Sequence, residues 1–103
     1  MNNGLSAEQN KAICKVLSQH TQISEARLYG SRALGRYRSG SDIDLTLLGE
    51  IDLPTLNRIS LELDDLLLPW EIDLSAYALI DNPDLLDHIR RVGQVFYRKK
   101  EQH

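Results

Sequence analysis

The sequence predicts an α/β layer: one sheet of about four strands covered by helices, in a single domain spanning residues 1–103. Three observations predict it. Segments with apolar residues at helical spacing alternate with short runs of strand character. Capping and turn residues fall between those segments. Aspartates interrupt two of the strand candidates at positions that alternate with apolar residues.

The first element is a helix from about Ala7 to His20. Ser6 fits its N-cap and Gln9 stands three residues on, the spacing of a capping box. Ala12, Ile13, Val16 and Leu17 then recur on one face, and Cys14 lies beside them as a packing residue. Ala26–Tyr29 is the first strand candidate, ended by Gly30 and followed by a short turn or helix. Asp42–Leu48 is the second strand, closed by Gly49. Pro54 suits the first turn of another helix, with Leu56, Ile59, Leu63, Leu66 and Leu67 on its inner face and its end before Pro69. Trp70–Tyr77 is the third strand. Asn82-Pro83 starts a further helix with Leu85, Leu86 and Ile89 inward, and Gly93 fits its end. Val95–Tyr97 makes a short last strand, and the tail from Arg98 is expected to fray.

The chain carries 12 basic and 15 acidic residues, a net charge of −3. A general nucleic-acid coat needs a basic excess, so direct nucleic-acid binding is not expected. The single cysteine leaves no internal disulfide, which fits a reduced, cytoplasmic setting. The N-terminus lacks the regions of a signal peptide, and no apolar run is long enough to span a bilayer.

The aspartates carry the chemistry. Residues i and i+2 of a strand share a face, so Asp42 and Asp44 project side by side, roughly 7 Å apart at Cα. Carboxylates so placed need an arginine, a proton or a hard divalent cation between them. Asp73, between Ile72 and Leu74, can join them if the second and third strands are neighbours. Glu71, on the same face, is the competing choice. Three such carboxylates could hold two Mg²⁺ ions about 3.5–4 Å apart. Gly30 lets the backbone approach a ligand closely, and Ser31 offers a hydroxyl and an N–H to a phosphate, more so if a helix starts there. Arg27, Arg32, Arg36 and Arg38 place four basic residues in a 12-residue window without an acid. A phosphate-binding turn beside metal-binding carboxylates is what a Mg²⁺-bound nucleoside triphosphate requires.

Each part alone has a plainer reading. Asp-x-Asp is most often a turn or a solvated strand face, Gly-Ser an ordinary turn, and an arginine cluster a solvated surface. Their complementarity and order carry the argument. Other motifs fit poorly. Gly30-x₄-Gly35 is followed by Arg36-Tyr37 rather than Lys and Ser/Thr, so it is not a P-loop. An EF-hand beginning at Asp42 would need Gly at 47 and Glu at 53, and both are Leu. His20, His88 and His103 are scattered and near no cysteine pair, which argues against zinc.

Gly30-Ser31, ten residues, then Asp42-Ile43-Asp44 resembles the signature of the DNA polymerase β-like nucleotidyltransferase superfamily. The fuller stretch GSRALGRYRSGSDIDL is similar to its minimal nucleotidyltransferase (MNT) branch, and the likeness spans nearly the whole chain. The resemblance implies a palm-like fold with a mixed sheet. It implies that Gly30 and Ser31, with Arg32 and Ser41 beside them, bind the triphosphate, most naturally ATP. It implies that Asp42, Asp44 and Asp73 are catalytic and hold Mg²⁺, two ions in this family. Larger relatives bind their acceptors with further domains. Here roughly 100 residues form the catalytic layer, so a partner is expected to supply the acceptor. The family's habit points to a separately encoded helical protein of the HEPN class, to which an MNT antitoxin transfers AMP at a tyrosine. Homodimer and hetero-oligomer both stay open. A non-catalytic inhibitory subunit that binds a nucleotide is the alternative, and a carboxylate-based nuclease a weaker third.

Overall fold

The computed structural model describes residues 3–100. Its elements run α1 (Ala7–Ser18), β1 (Ile23–Tyr29), α2 (Gly30–Leu34), β2 (Ile43–Gly49), α3 (Leu53–Asp64), β3 (Ile72–Ala76), a 3₁₀ turn (Tyr77–Leu79), α4 (Pro83–Val92) and β4 (Gln94–Arg98). The strands form one sheet in the order β3-β2-β1-β4. β1 is antiparallel to both β2 and β4, whereas β2 and β3 are parallel. The sheet is therefore mixed, with strands alternating with helices as the residue pattern predicts.

The caps act as local chemistry demands. Ser6 Oγ accepts from Gln9 N–H and the Gln9 side chain accepts from Ser6 N–H, so the capping box is closed in both directions. Asp52 caps α3 through Thr55 N–H, and Asn82 caps α4 through Asp84 and Leu85 N–H, with a proline in the first turn of each helix.

The core lies on one face of the sheet. Ile13 and Leu17 of α1 and Ile59 and Leu63 of α3 pack with Ala26, Leu28, Ile43, Leu45 and Leu47, all buried. Alternation along the strands sends Tyr29, Arg27 and Glu25 of β1, Asp44 and Thr46 of β2, and Asp73 and Ser75 of β3 to the opposite face. The Cys14 thiol donates to the Phe96 carbonyl at 3.6 Å, and burial pushes its pKa up. It packs, as its place beside the helix stripe predicts. No helix among the described residues is long and apolar enough to cross a membrane.

Several boundaries differ from the sequence reading, each for a local reason. β1 begins at Ile23 rather than Ala26. Glu25 looks like a loop residue, but its carboxylate is neutralised by Arg27 and Arg98, so the strand can bury it. α1 stops at Ser18, and His20 instead meets Glu62 at 2.7 Å. α3 ends at Asp64, short of Leu66 and Leu67. Leu67 adopts φ 55° and is 87% exposed, so it does not join the inner face. Pro69 disfavours a helical Leu68 and so limits how far that helix can run. β3 is shorter than Trp70–Tyr77, because Tyr77 already turns into the 3₁₀ segment. Gly93 does end α4 but with φ −62°, not left-handed. It is needed for space, since a Cβ there would fall 2.3 Å from the Ile89 carbonyl oxygen. At the tail, Arg98 lies in β4 and Lys99 bonds Ser24 and Thr21. The expected fraying therefore does not begin there, and residues 101–103 lie outside the described residues.

Candidate active site

The register of β2 on β3 builds the site. Asp44 pairs with Asp73 across the parallel ladder, between the apolar pairs Ile43–Ile72 and Leu45–Leu74. Both aspartates therefore leave the helix-covered face together. Asp73, not Glu71, is the residue beside Asp44; Glu71 precedes β3, and its carbonyl accepts from Ile43 N–H. Asp42 lies one residue before β2 and is exposed, while Asp44 is half-buried.

These carboxylates feel one another. Burial raises the Asp44 pKa, and the charges of Asp73 and Asp42 raise it further, against a smaller opposing pull from Arg32. Among the described residues no three His, Cys, Asp or Glu side chains are grouped as a metal site. What stands ready is a pair of hard oxygen donors with a third carboxylate close enough to be felt.

The Gly-Ser turn sits directly against this pair. Tyr29, the last residue of β1, pairs with Asp44 of β2, so the chain turns into α2 beside that carboxylate. Gly30 has φ +75°, and a Cβ on it would lie 2.3 Å from Asp44 Oδ2. Only glycine meets both demands. Ser31 follows in the first turn of α2 and is partly exposed.

Arg32 and Ser41, the other two residues the resemblance assigns to the triphosphate, have partners within the fold. Arg32 is 1% exposed, with its guanidinium between the rings of Tyr37 (5.2 Å) and Trp70 (4.6 Å). It donates to the Ser41 carbonyl at 2.8 Å and to the Asn3 carbonyl at 3.0 Å. Ser41 Oγ accepts from Arg38 N–H at 2.8 Å, and Trp70 Nε1 donates to the Ser39 carbonyl at 2.6 Å. These residues build the loop that delivers Asp42. The Arg32 guanidinium donates to backbone carbonyls and lies between two rings. Arg36 and Arg38 are exposed on that loop.

Two residues at the site were not foreseen. The Tyr29 ring is buried; burial raises its pKa, with Asp73 and Asp44 adding to the effect against a hydrogen bond with Ser75. His88 of α4 reaches Gly30 and packs edge-on to Tyr29 at 6.2 Å. Tyr29 stands next to the motif in sequence, which is a usable signal; His88 has none. A surface hollow of about 1530 Å³ surrounds Cys14, Glu25, Phe96 and Arg98 and does not include Asp42, Asp44 or Asp73 in its lining. The carboxylates instead lie on the sheet face opposite the α1–α3 core, with Asp42 and Asp73 exposed.

The sequence matches the family described as polymerase beta, nucleotidyltransferase over residues 11–102. The chain belongs to the polymerase β nucleotidyltransferase family. The probable protein adenylyltransferase MntA of Haemophilus influenzae is 26% identical over 99 residues, covering 94% of this chain and 86% of that protein. A toxin–antitoxin crystal structure with AMP-PNP superposes with a TM-score of 0.72 at 20% identity, covering 88% of this nucleotidyltransferase and 74% of that chain. A complex of tri-AMPylated Shewanella oneidensis HEPN toxin with MNT antitoxin superposes with a TM-score of 0.67 at 18% identity, covering 89% and 71% respectively. The nucleotidyltransferase fold is thus shared with these structures, as the Gly-Ser-x₁₀-Asp-x-Asp spacing implies.

Proposed function

We propose that this domain transfers AMP from ATP to a hydroxyl on a separately encoded HEPN-type helical protein and acts as its antitoxin. One observation carries the chemistry: Asp44 stands beside Asp73 across the ladder while Gly30 presses on the Asp44 carboxylate. The relatives support the nucleotide and the partner, since one is named as a protein adenylyltransferase and another is an MNT antitoxin bound to an AMPylated HEPN toxin.

The chain's residues divide the work as follows. Backbone N–H groups at the start of α2 and the Ser31 hydroxyl bind the triphosphate. Asp44 and Asp73, with Asp42 at the rim, hold Mg²⁺. Carboxylate oxygens suit this ion, which one or two carboxylates plus substrate phosphates commonly hold. When bound, the metal neutralises phosphate charge and acidifies the attacking hydroxyl. Asp73, the exposed member of the pair, accepts the hydrogen bond of that hydroxyl and turns its oxygen toward the α-phosphorus. A bond from that oxygen to the α-phosphorus forms as the bond to the bridging oxygen breaks, pyrophosphate leaves, and the hydroxyl proton passes to Asp73 and on to water. The protein's contribution is positioning and charge.

The test uses the protein with Mg²⁺ and α-³²P-labelled ATP, alone and with its HEPN-type partner. Label on the partner that disappears with Asp44→Asn is the expected result. Neutralisation of the partner without label, retained by Asp44→Asn, would replace this reading with that of a steric inhibitory subunit.

A further inference from the structure

We propose that His88 is the positioning residue of the phosphate-binding turn, holding Gly30 by its N–H and locking α2 against α4. The inference rests on the reading of Gly30-Ser31 as the triphosphate turn.

The first amides of a helix have no acceptor within the helix. Gly30 opens α2, and its N–H is taken by His88 Nε2 at 3.2 Å. An imidazole nitrogen that accepts must be unprotonated, so the neutral ring carries its proton on Nδ1. The ring has little room to leave. It is half-buried and packs edge-on to Tyr29, with the planes 79° apart. Tyr29 is itself fixed in β1 opposite Asp44. Thus one side chain from α4 braces both the last residue of β1 and the first residue of α2.

The other end of α2 is tied from the same side. Gln94, which opens β4 just after α4, donates through Nε2 to the Ala33 carbonyl at 2.9 Å. Two side chains flanking the C-terminal half of α4 therefore clamp a helix of five residues at both ends. A helix this short has no stability of its own. Gly30 sits at φ +75° with its backbone against Asp44, a conformation it would leave readily if unrestrained. The brace holds the turn at one distance from the carboxylates before any nucleotide arrives. Pre-ordering of this kind appears in substrate affinity, because the ordering cost is met before binding.

The test separates the acceptor from the ring. His88→Gln keeps an acceptor at a reach comparable to Nε2 and loses the ring. His88→Phe keeps the ring and its edge contact with Tyr29 and loses the acceptor. ATP KM and kcat for AMP transfer to the partner, and amide hydrogen exchange at Gly30 and Ser31, are measured for both. His88→Phe should raise KM by about three- to tenfold, the range of one net hydrogen bond, and speed Gly30 exchange by at least the same factor, while kcat and Tm stay close to the native values. His88→Gln should restore both. Equal loss in the two variants, or a fall in Tm that accounts for the loss, would reduce His88 to a packing residue and overturn the proposal. Native KM and exchange in His88→Phe would overturn it too. If the native protein transfers no AMP, the functional reading fails, and the exchange experiment alone still decides whether His88 braces the turn.

Discussion

Asp44→Asn should make the protein inactive and more stable. The substitution keeps the side chain's shape and removes its charge. Asp44 and Asp73 face each other on neighbouring strands, about 5 Å apart by the spacing of strands in a sheet. At that distance two carboxylates repel by about 1 kcal/mol with water-like screening and about 3 kcal/mol at an effective dielectric near 20. Asp73 is exposed, so the lower value applies, and partial dehydration of Asp44 adds to it. The expected gain is about 1–2 kcal/mol, or roughly 4–10 °C in Tm for a domain of this size. The sign follows from linkage. The folded carboxyl titrates above its unfolded value, chiefly through burial and then through Asp73 and Asp42. Its charge therefore destabilises the fold at neutral pH, and that penalty fades as the pH falls through the raised pKa to below the unfolded one. Thermal melts of both proteins in EDTA, from pH 7 down to pH 3, are the assay. The variant should lead at pH 7, with the gap closing toward acid, while AMP transfer is lost. A variant that melts at or below the native temperature at pH 7 would refute the picture of uncompensated carboxylates. Retained transfer would refute their role in catalysis.

Other outcomes follow from the same geometry. Arg32→Leu leaves the Ser41 and Asn3 carbonyls without their donor and opens the slot between Tyr37 and Trp70; it should cost about 2–3 kcal/mol in urea unfolding. Arg32→Lys should recover less than half of this, because an ammonium neither stacks flat nor forks. Trp70, the chain's single tryptophan, reports the loop directly by fluorescence. Gly30→Ala should lose about 1–2 kcal/mol from the left-handed backbone alone, and the clash with Asp44 Oδ2 should lower transfer beyond what the Tm change explains. Glu25→Gln should cost about 1 kcal/mol at pH 7, since both arginine partners are partly solvated. The Arg27 hydrogen bond, then Arg98, hold the Glu25 carboxyl below its usual range. Its stabilisation is thus present above the unfolded value, near 4.3, and fades as the pH falls through the lower folded one, where native and variant melts should converge.

Much of the fold was legible because its signals are local. Ser6 and Gln9, Asn82 and Pro83, and the inward stripes of α1, α3 and α4 depend only on residues a turn away. The strands read well where apolar alternation was clean and poorly where a charge was buried, as at Glu25, whose compensating Arg98 lies 73 residues on. The motif itself was legible for a similar reason. Gly30 must have no side chain and Asp44 must carry a carboxylate, and short-range spacing records both. Arg32 shows the limit: a cation beside a Gly-Ser turn has the same letters whether it faces a phosphate or lies between two rings. Its sequence neighbours do not show that Trp70 and Asn3 close over it.

The sequence by itself determined the elements, their caps and the candidate site residues. The tertiary structure decided which of those groups meet. Strand order and the parallel register of β2 on β3 chose Asp73 over Glu71, and the packing of α4 brought His88 to Gly30, 58 residues away. The physical reason is that capping and periodicity are interactions within a turn, whereas register and packing are settled only when the whole apolar face closes at once.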